Sequence, residues 1–432
     1  MKIFAVLAVL CIATGPRANA LSDAAASMQA GEWREFTTTG FNQALLWVTS
    51  PNYGSGDCIF NYADDLVWYP DSQMILFVGG GHSTPNKHVI YSAHSNSWRE
   101  ILPQPGWLEG LGHGYDHSAM DEKKGVFYHM ADYSRTIIYK YTVSTGVWAT
   151  GAQIPTSLDI ADQVTCCKGL EFFPDYDRGG LVIPNGKAQK VYWLGMNSGR
   201  ALTLGTVLMG GYHNIAKYNW RHKVVLVGGG EGSNTIHRLD STGALTRMKG
   251  TPFPIGIMSS LEAADPATGL YIVLTRDGTW HTYDILADTW TRQNAACPLF
   301  SFGSAGPIIF TAACPIPQYG VMAFAKYADG VGKIWLYKHA EMPDWIERAR
   351  PDPAGMRLSA FPNPFGASVR ITWQGPAEAR VAVYGPDGRR VAQWAGQGNE
   401  WDLDASVLPP GVYLLEMVSG PISQHRFICR VR

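Results

Sequence analysis

Charge is scarce in this chain. Only 16% of its 432 residues are Asp, Glu, Lys or Arg, and the formal net charge is −1. So even a balance gives no electrostatic footprint for nucleic acid or an anionic membrane surface. Long apolar runs are lacking too. After the first turn of chain, from Met1 to Ala20, none approaches the length that spans a bilayer, so no membrane span is expected once that segment is removed. There is no P-loop, Rossmann fingerprint, H-E-x-x-H helix or nucleophile elbow, which removes nucleotide-binding, zinc-protease and serine-hydrolase templates. Cysteine is sparse, 7 in all, and no pair has the spacing of a C-x2-C zinc site.

What the chain has instead is turn formers and aromatics: 47 glycines, 26 prolines, 15 tryptophans, and 12% aromatic residues overall. That balance suits an all-β protein of short strands. Residues 1–20 read as a signal peptide. Lys2 is the positive end, Ile3 to Ala13 the apolar stretch, and Ala18-Asn19-Ala20 a small-x-small cleavage site. Removal takes Cys11 away and leaves Cys58, Cys166, Cys167, Cys297, Cys314 and Cys429. An exported protein with an even cysteine count invites disulfides. Cys297 with Cys314 is the expected bridge, because a loop of that length between adjacent strands closes readily. The neighbours Cys166 and Cys167 are either a strained vicinal bridge, bonded elsewhere, or free.

One pattern recurs along the chain. In Asp65-Leu-Val-Trp-Tyr-Pro-Asp-Ser-Gln-Met-Ile-Leu-Phe-Val-Gly-Gly-Gly-His82 a strand runs into a Pro-Asp turn, returns, and ends on glycines. The same turn position is filled by Asp121 to Gly125, Pro174-Asp175, Asn219 to Arg221, Asp265-Pro266 and Pro317-Gln318. Pro presets φ there, and Asp or Asn bonds back to the backbone. The spacing of roughly 45–55 residues is that of propeller blades. A third strand follows each pair, and a fourth begins near Trp98, Trp148, Leu202, Leu245 and Trp290. The sixth unit lacks its own fourth strand. Trp33-Arg-Glu-Phe36 matches Trp98-Arg-Glu-Ile101, so the N-terminal strand is expected to complete the last blade and protect the open edges of the ring; Trp345 is the alternative donor. The expectation is a six-bladed β-propeller over residues 31–345, with seven as the alternative count. The runs Ile75 to Gly81 and Val224 to Gly230, with the later tryptophan, resemble the kelch and galactose-oxidase-like propellers, which implies a fold and not an activity.

From 346 to 356 the chain turns Pro-, Arg- and Asp-rich and reads as a linker. Beyond it, residues 357–432 read as a small Ig-like β-sandwich, with Asp387-Gly388 as a hairpin turn. Phe361-Pro-Asn-Pro-Phe365, Tyr384 with Gly388-Arg389, and Gly411-Val-Tyr-Leu-Leu415 resemble the C-terminal sorting domain of the type IX secretion system. The resemblance implies passage across both membranes, contact with the secretion machinery, and a secreted or cell-surface protein.

Propeller geometry places the approach to each inner strand and the loop after the second strand on one face. His82, His113, Asp116, His117, Tyr133, Arg135, Lys168, Tyr212, His213, Glu231 and Arg276 fall in those loops. Such a face suits a polar chain, so binding of an extracellular polysaccharide or glycan by a monomer is the leading expectation. The alternative is a polysaccharide lyase. In that chemistry a cation neutralises a uronate carboxylate, a His or Tyr removes the acidified proton, and another protonates the leaving oxygen. His82, His117, Tyr133, Arg135, Tyr212 and His213 are the catalytic candidates. His113, Asp116, Lys168, Glu231 and Arg276 are the substrate-binding ones. A non-catalytic surface for a protein partner is the third reading. No metal or cofactor is assigned.

Overall fold

Short runs of β-branched and aromatic residues, each broken by a tight turn, dictate the architecture. The computed structural model describes residues 19–49, 56–81, 84–108, 112–130, 137–153 and 168–342, then 357–361, 367–374, 380–385, 389–395, 400–404, 408–419 and 422–430. His82, Tyr133, Arg135, Cys166, Cys167, Trp345, Asp387-Gly388, the 346–356 linker and nearly all of the 1–20 leader lie outside them, as does the side chain of Cys429. The chain divides into two compact units, one of which spans Ala18–Arg348.

In that unit the strands form six four-stranded antiparallel sheets. Their inner strands are Val67–Tyr69, Ser118–Asp121, Glu171–Phe173, Ile215–Asn219, Ser260–Ala264 and Thr311–Ile316. Each packs against the next, and the sixth against the first, so the sheets close into a six-bladed propeller. The turns expected after the inner strands are in place. In blade six the Pro317–Tyr319 segment is a single 3-10 turn ended by Gly320 at φ 67°, the left-handed conformation that glycine adopts without strain.

The ring is closed by the N-terminal strand Glu32–Glu35. It pairs with Val331–Lys338 in the register Glu32↔Lys338 to Glu35↔Trp335 and supplies the outer strand of blade six. Trp33 stacks on Tyr337 at 4.3 Å and leans on Phe324 at 5.1 Å. Before it, a helix over Ala20–Ser27 buries Leu21 and Ala25. Asn19 caps that helix in a reciprocal exchange with Ser22, and its side-chain amide also donates to Gln73 and Tyr319. The leader boundary expected after Ala20 thus falls inside a set of folded contacts.

The expected Cys297–Cys314 bridge does not form: both thiols are free and buried, as is that of Cys58. The reason is strand alternation. Successive side chains of Thr311–Ile316 point to opposite faces of blade six. Ala313 faces the cluster that holds Cys297, Met322 and Phe324. Cys314, one residue on, faces the opposite cluster with Cys58, Ile316 and Ala323.

The C-terminal unit is a two-sheet sandwich. Arg357–Phe361, Ser368–Gln374 and Glu400–Asp404 form one sheet; Arg390–Ala395, Arg380–Tyr384, Gly411–Ser419 and Ile422–Arg430 form the other. Val369, Ile371, Trp373, Val381, Val383, Tyr413 and Leu415 fill the space between.

Candidate functional site

In five of the six blades a residue one to five positions before the inner strand repeats one backbone conformation. Tyr62, Tyr115, His213, Met258 and Phe310 all have positive φ, between 43° and 71°, in blades one, two, four, five and six. Non-glycine residues adopt this region rarely and at a cost, so a recurring outlier of this kind marks a turn built to aim a side chain. Three of the five are ring-bearing polar residues, and they converge. Tyr62 lies 5.5 Å from His213, and Tyr115 lies 6.0 Å from it, ring centre to ring centre. His113 sits 4.7 Å from Tyr62 and 5.2 Å from Tyr115, and His117 5.1 Å from Tyr115.

The loop bearing His213 is held from three sides. Asn214 accepts from Gly186 N–H and donates to the carbonyls of Gly210 and Gly229, while Ile257 N–H donates to His213 O. A side chain at Gly230 would meet Tyr212 O at 2.0 Å, so only glycine permits this approach. Glu231 accepts from Gly211 N–H at 3.0 Å. Burial lowers the His213 pKa and the nearby Glu231 carboxylate partly offsets it, so the ring is neutral near pH 7. His113 Nδ1–H donates to the carbonyls of Asn61 and Gly80.

His117 is 0% exposed and neither of its ring nitrogens has a hydrogen-bond partner. Burial, then His129 and the Lys168 ammonium, holds its pKa well below the usual histidine range. A buried polar ring without partners costs about 1–3 kcal/mol, and a protein carries such a cost most readily at a site that uses the group.

A second constellation lies in the channel, of which the sequence offered Asp116 and Glu262 only as separate loop carboxylates. Asp64, Asp65, Asp116, Glu171 and Glu262 surround one ammonium, Lys217. Lys217 Nζ is 2.6 Å from Asp116 Oδ1, 3.3 Å from Asp65 Oδ1 and 3.6 Å from Asp64 Oδ1. Asp116 also accepts from Ala216 N–H, and Glu171 accepts from Tyr218 N–H and from its own neighbour Phe172. Burial pushes Glu171 and Glu262 up to about 8 and raises Asp64, Asp65 and Asp116 as well. Burial alone would lower Lys217; the surrounding Asp116, Asp64 and Asp65 outweigh it and hold the amine well above the usual lysine range. One ammonium neutralises one carboxylate, so the remaining carboxyls hold protons.

The structure thus brings together His113, His117 and His213, adds Tyr62 and Tyr115 to them, and sets Lys168 within electrostatic reach of His117. Tyr212 is half-buried beside that cluster, with Lys187 Nζ 4.1 Å above its ring. Asp116 belongs to the channel network. Glu231 and Arg276 are exposed, and Arg276 makes a backbone bond to Ser259. The signal for Tyr115 was available, since it stands six residues before its turn as His213 does, whereas Tyr62 stands eight before Pro70. Among the described residues no three His, Cys, Asp or Glu side chains are grouped to hold a metal.

Comparison with known proteins bears on one end of the chain. Residues 359–429 match the family described as the secretion system C-terminal sorting domain. No curated protein matches the chain. Among solved structures it is similar to a structural-genomics protein of unknown function from Bacteroides thetaiotaomicron, at 10% identity over 72% of this chain and 73% of that one, with a TM-score of 0.46. It is also similar to PorZ, an essential bacterial surface component of the type IX secretion system of Porphyromonas gingivalis, at 12% identity over 93% of this chain, with a TM-score of 0.42. This chain spans 58% of the PorZ chain. The C-terminal unit is a sorting domain of the type IX system, and the protein is secreted to the cell surface or beyond.

Proposed function

We propose that the exported propeller, kelch-like in its glycine-ended second strands, takes a uronate-bearing extracellular polysaccharide at the His/Tyr end of its channel and cleaves it by β-elimination. The observation that carries this reading is the meeting of Tyr62, Tyr115 and His213, from three different blades, with His113 and His117. His213, half-buried and neutral, is suited to take the proton next to the uronate carboxylate. The phenol of Tyr62 or Tyr115 is the group we assign to return a proton to the leaving oxygen. Lys168 is buried like His113 and His117, so it adds positive charge from beneath the site rather than by contact, and its ammonium is felt by His117. Rigid loops around His213 favour catalysis over loose binding, because they fix the base before substrate arrives.

A second reading, glycan binding without cleavage, is favoured by the burial of His113 and His117, which keeps both rings from direct contact with a ligand. One experiment separates the two. The full secreted chain is incubated with a panel of uronate-containing polysaccharides, and both the absorbance of the unsaturated product and binding by calorimetry are followed. Cleavage is expected, with loss in His213→Ala. Binding without product leaves the glycan-binding reading alone. Neither signal on any member overturns both.

A further inference from the structure

Lys217 is a primary amine in a nearly dry enclosure, pressed against a carboxyl group from another blade. Its Nζ is 2.6 Å from Asp116 Oδ1, and these residues lie 101 positions apart, in blades four and two. The other oxygen of Asp116 is gripped by the backbone N–H of Ala216 at 2.5 Å. Asp65 Oδ1 stands 3.3 Å from the same amine on its far side. Asp64 and Glu262 are 3% and 1% exposed, and none of their carboxyl oxygens has a hydrogen-bond partner.

We propose that Lys217 and Asp116 are joined by an intramolecular isopeptide bond that ties blade two to blade four. The parts for acyl transfer are all present. Proton exchange across the 2.6 Å contact gives the neutral amine and carboxylic acid; the surrounding carboxylates favour the ammonium, so this is the minor, reactive pair. The Nζ lone pair forms the new bond to Asp116 Cγ. Oδ2, held by the Ala216 N–H, carries the developing negative charge, the role that backbone donors play in any acyl transfer. Asp65 takes a proton from the nitrogen and delivers it to Oδ1. The Cγ–Oδ1 bond breaks, and the oxygen leaves as water. One amide forms, one water is lost, and no oxidant, metal or cofactor takes part. The product is neutral, so it removes a buried ammonium and a buried carboxylate together and leaves the net charge of the channel unchanged. Asp64, Glu171 and Glu262 remain as protonated acids around it.

The bond is read by mass. The full secreted chain is expected to be lighter than its sequence by one water. Its tryptic map is expected to lack cleavage after Lys217 and to contain a branched peptide joining the Asp116 and Lys217 segments. Asp116→Asn should still cross-link, now with loss of one ammonia, while Asp116→Ala should carry the unmodified mass. An unmodified wild-type mass with free cleavage after Lys217 overturns the proposal. A branch at Asp64 or Asp65 overturns the assignment to Asp116. The chemistry is independent of the polysaccharide reading, and either can fail alone.

Discussion

Trp33→Ala tests how the ring is held shut. The indole stacks on Tyr337 at 4.3 Å and 20°, leans on Phe324, and meets Trp280 edge-on at 6.2 Å. A fully buried aromatic truncated to Ala costs about 3–5 kcal/mol. Trp33 is half-buried and lies on a four-residue strand, so about 2–3 kcal/mol is expected, part of it from the aromatic pairs at roughly 0.5–1.5 kcal/mol each. Trp98→Ala is the matched control. Trp98 holds the same phase in blade one, is buried, and packs on Phe41 at 4.8 Å and Tyr91 at 5.4 Å. Its strand is joined to its neighbour by a short turn, so its loss creates a cavity of about 3–4 kcal/mol without opening the ring. Urea unfolding followed by circular dichroism gives both values. Limited proteolysis gives the distinguishing readout: Trp33→Ala should expose the segment before Phe36 to cleavage in native buffer, whereas Trp98→Ala should not. A Trp33→Ala cost below about 0.5 kcal/mol, far under the range for a packed aromatic, with unchanged proteolysis would refute closure by this strand.

Two further outcomes are expected. Stability should fall as pH rises from 6.5 towards 8.5. Burial lifts Glu171 and Glu262 from 4.5 to about 8, so the native state keeps protons that the unfolded chain has released, and the stabilisation present below about pH 4.5 is lost as pH climbs through 8. Buried His88 and His129, held down to about 3 from 6.5, act in the opposite sense but are spent by about pH 6.5. Urea midpoints at the two pH values check this, and Glu262→Gln should flatten the slope; an equal slope in that variant counts against the channel assignment. Removal of residues 349–432 should leave the propeller's unfolding transition in place while stopping delivery to the surface, measured by cell fractionation. Surface delivery at the full-length level would contradict the role of the sorting unit.

The fold was legible because its signals are local. Pro70-Asp71 and its counterparts sit at turns that need little more than a preset φ and a short polar side chain. The likeness of Trp33-Arg-Glu to Trp98-Arg-Glu located the closing strand, because an outer strand meets the same packing wherever in the chain it originates. The histidines of the site could be placed on one face from strand direction alone. The channel network could not. Glu171 and Glu262 stand three residues before a turn and Lys217 two, and each looks like an isolated charge in an apolar strand. Only ring closure makes them neighbours. The expected disulfide failed for a related reason. Sequence spacing says how far a loop can reach, but the face a side chain takes in a strand decides whether two thiols meet, and Cys314 points away from Cys297.

Closure by the N-terminal strand also sets an order of events. The closing strand meets its partner from far away in sequence: Glu35 meets Lys333 across 298 positions of chain. Bringing such distant ends together costs about 5 kcal/mol of loop entropy if the intervening chain is loose, since the cost grows as the logarithm of length. Blades one to five repay that in advance, because each ordered blade shortens the loose chain between the ends. A fragment that stops short of Lys338 keeps two bare strand edges and cannot latch. The clasp therefore works as a completion check: only a chain whose blades are all present and folded has nowhere left to aggregate.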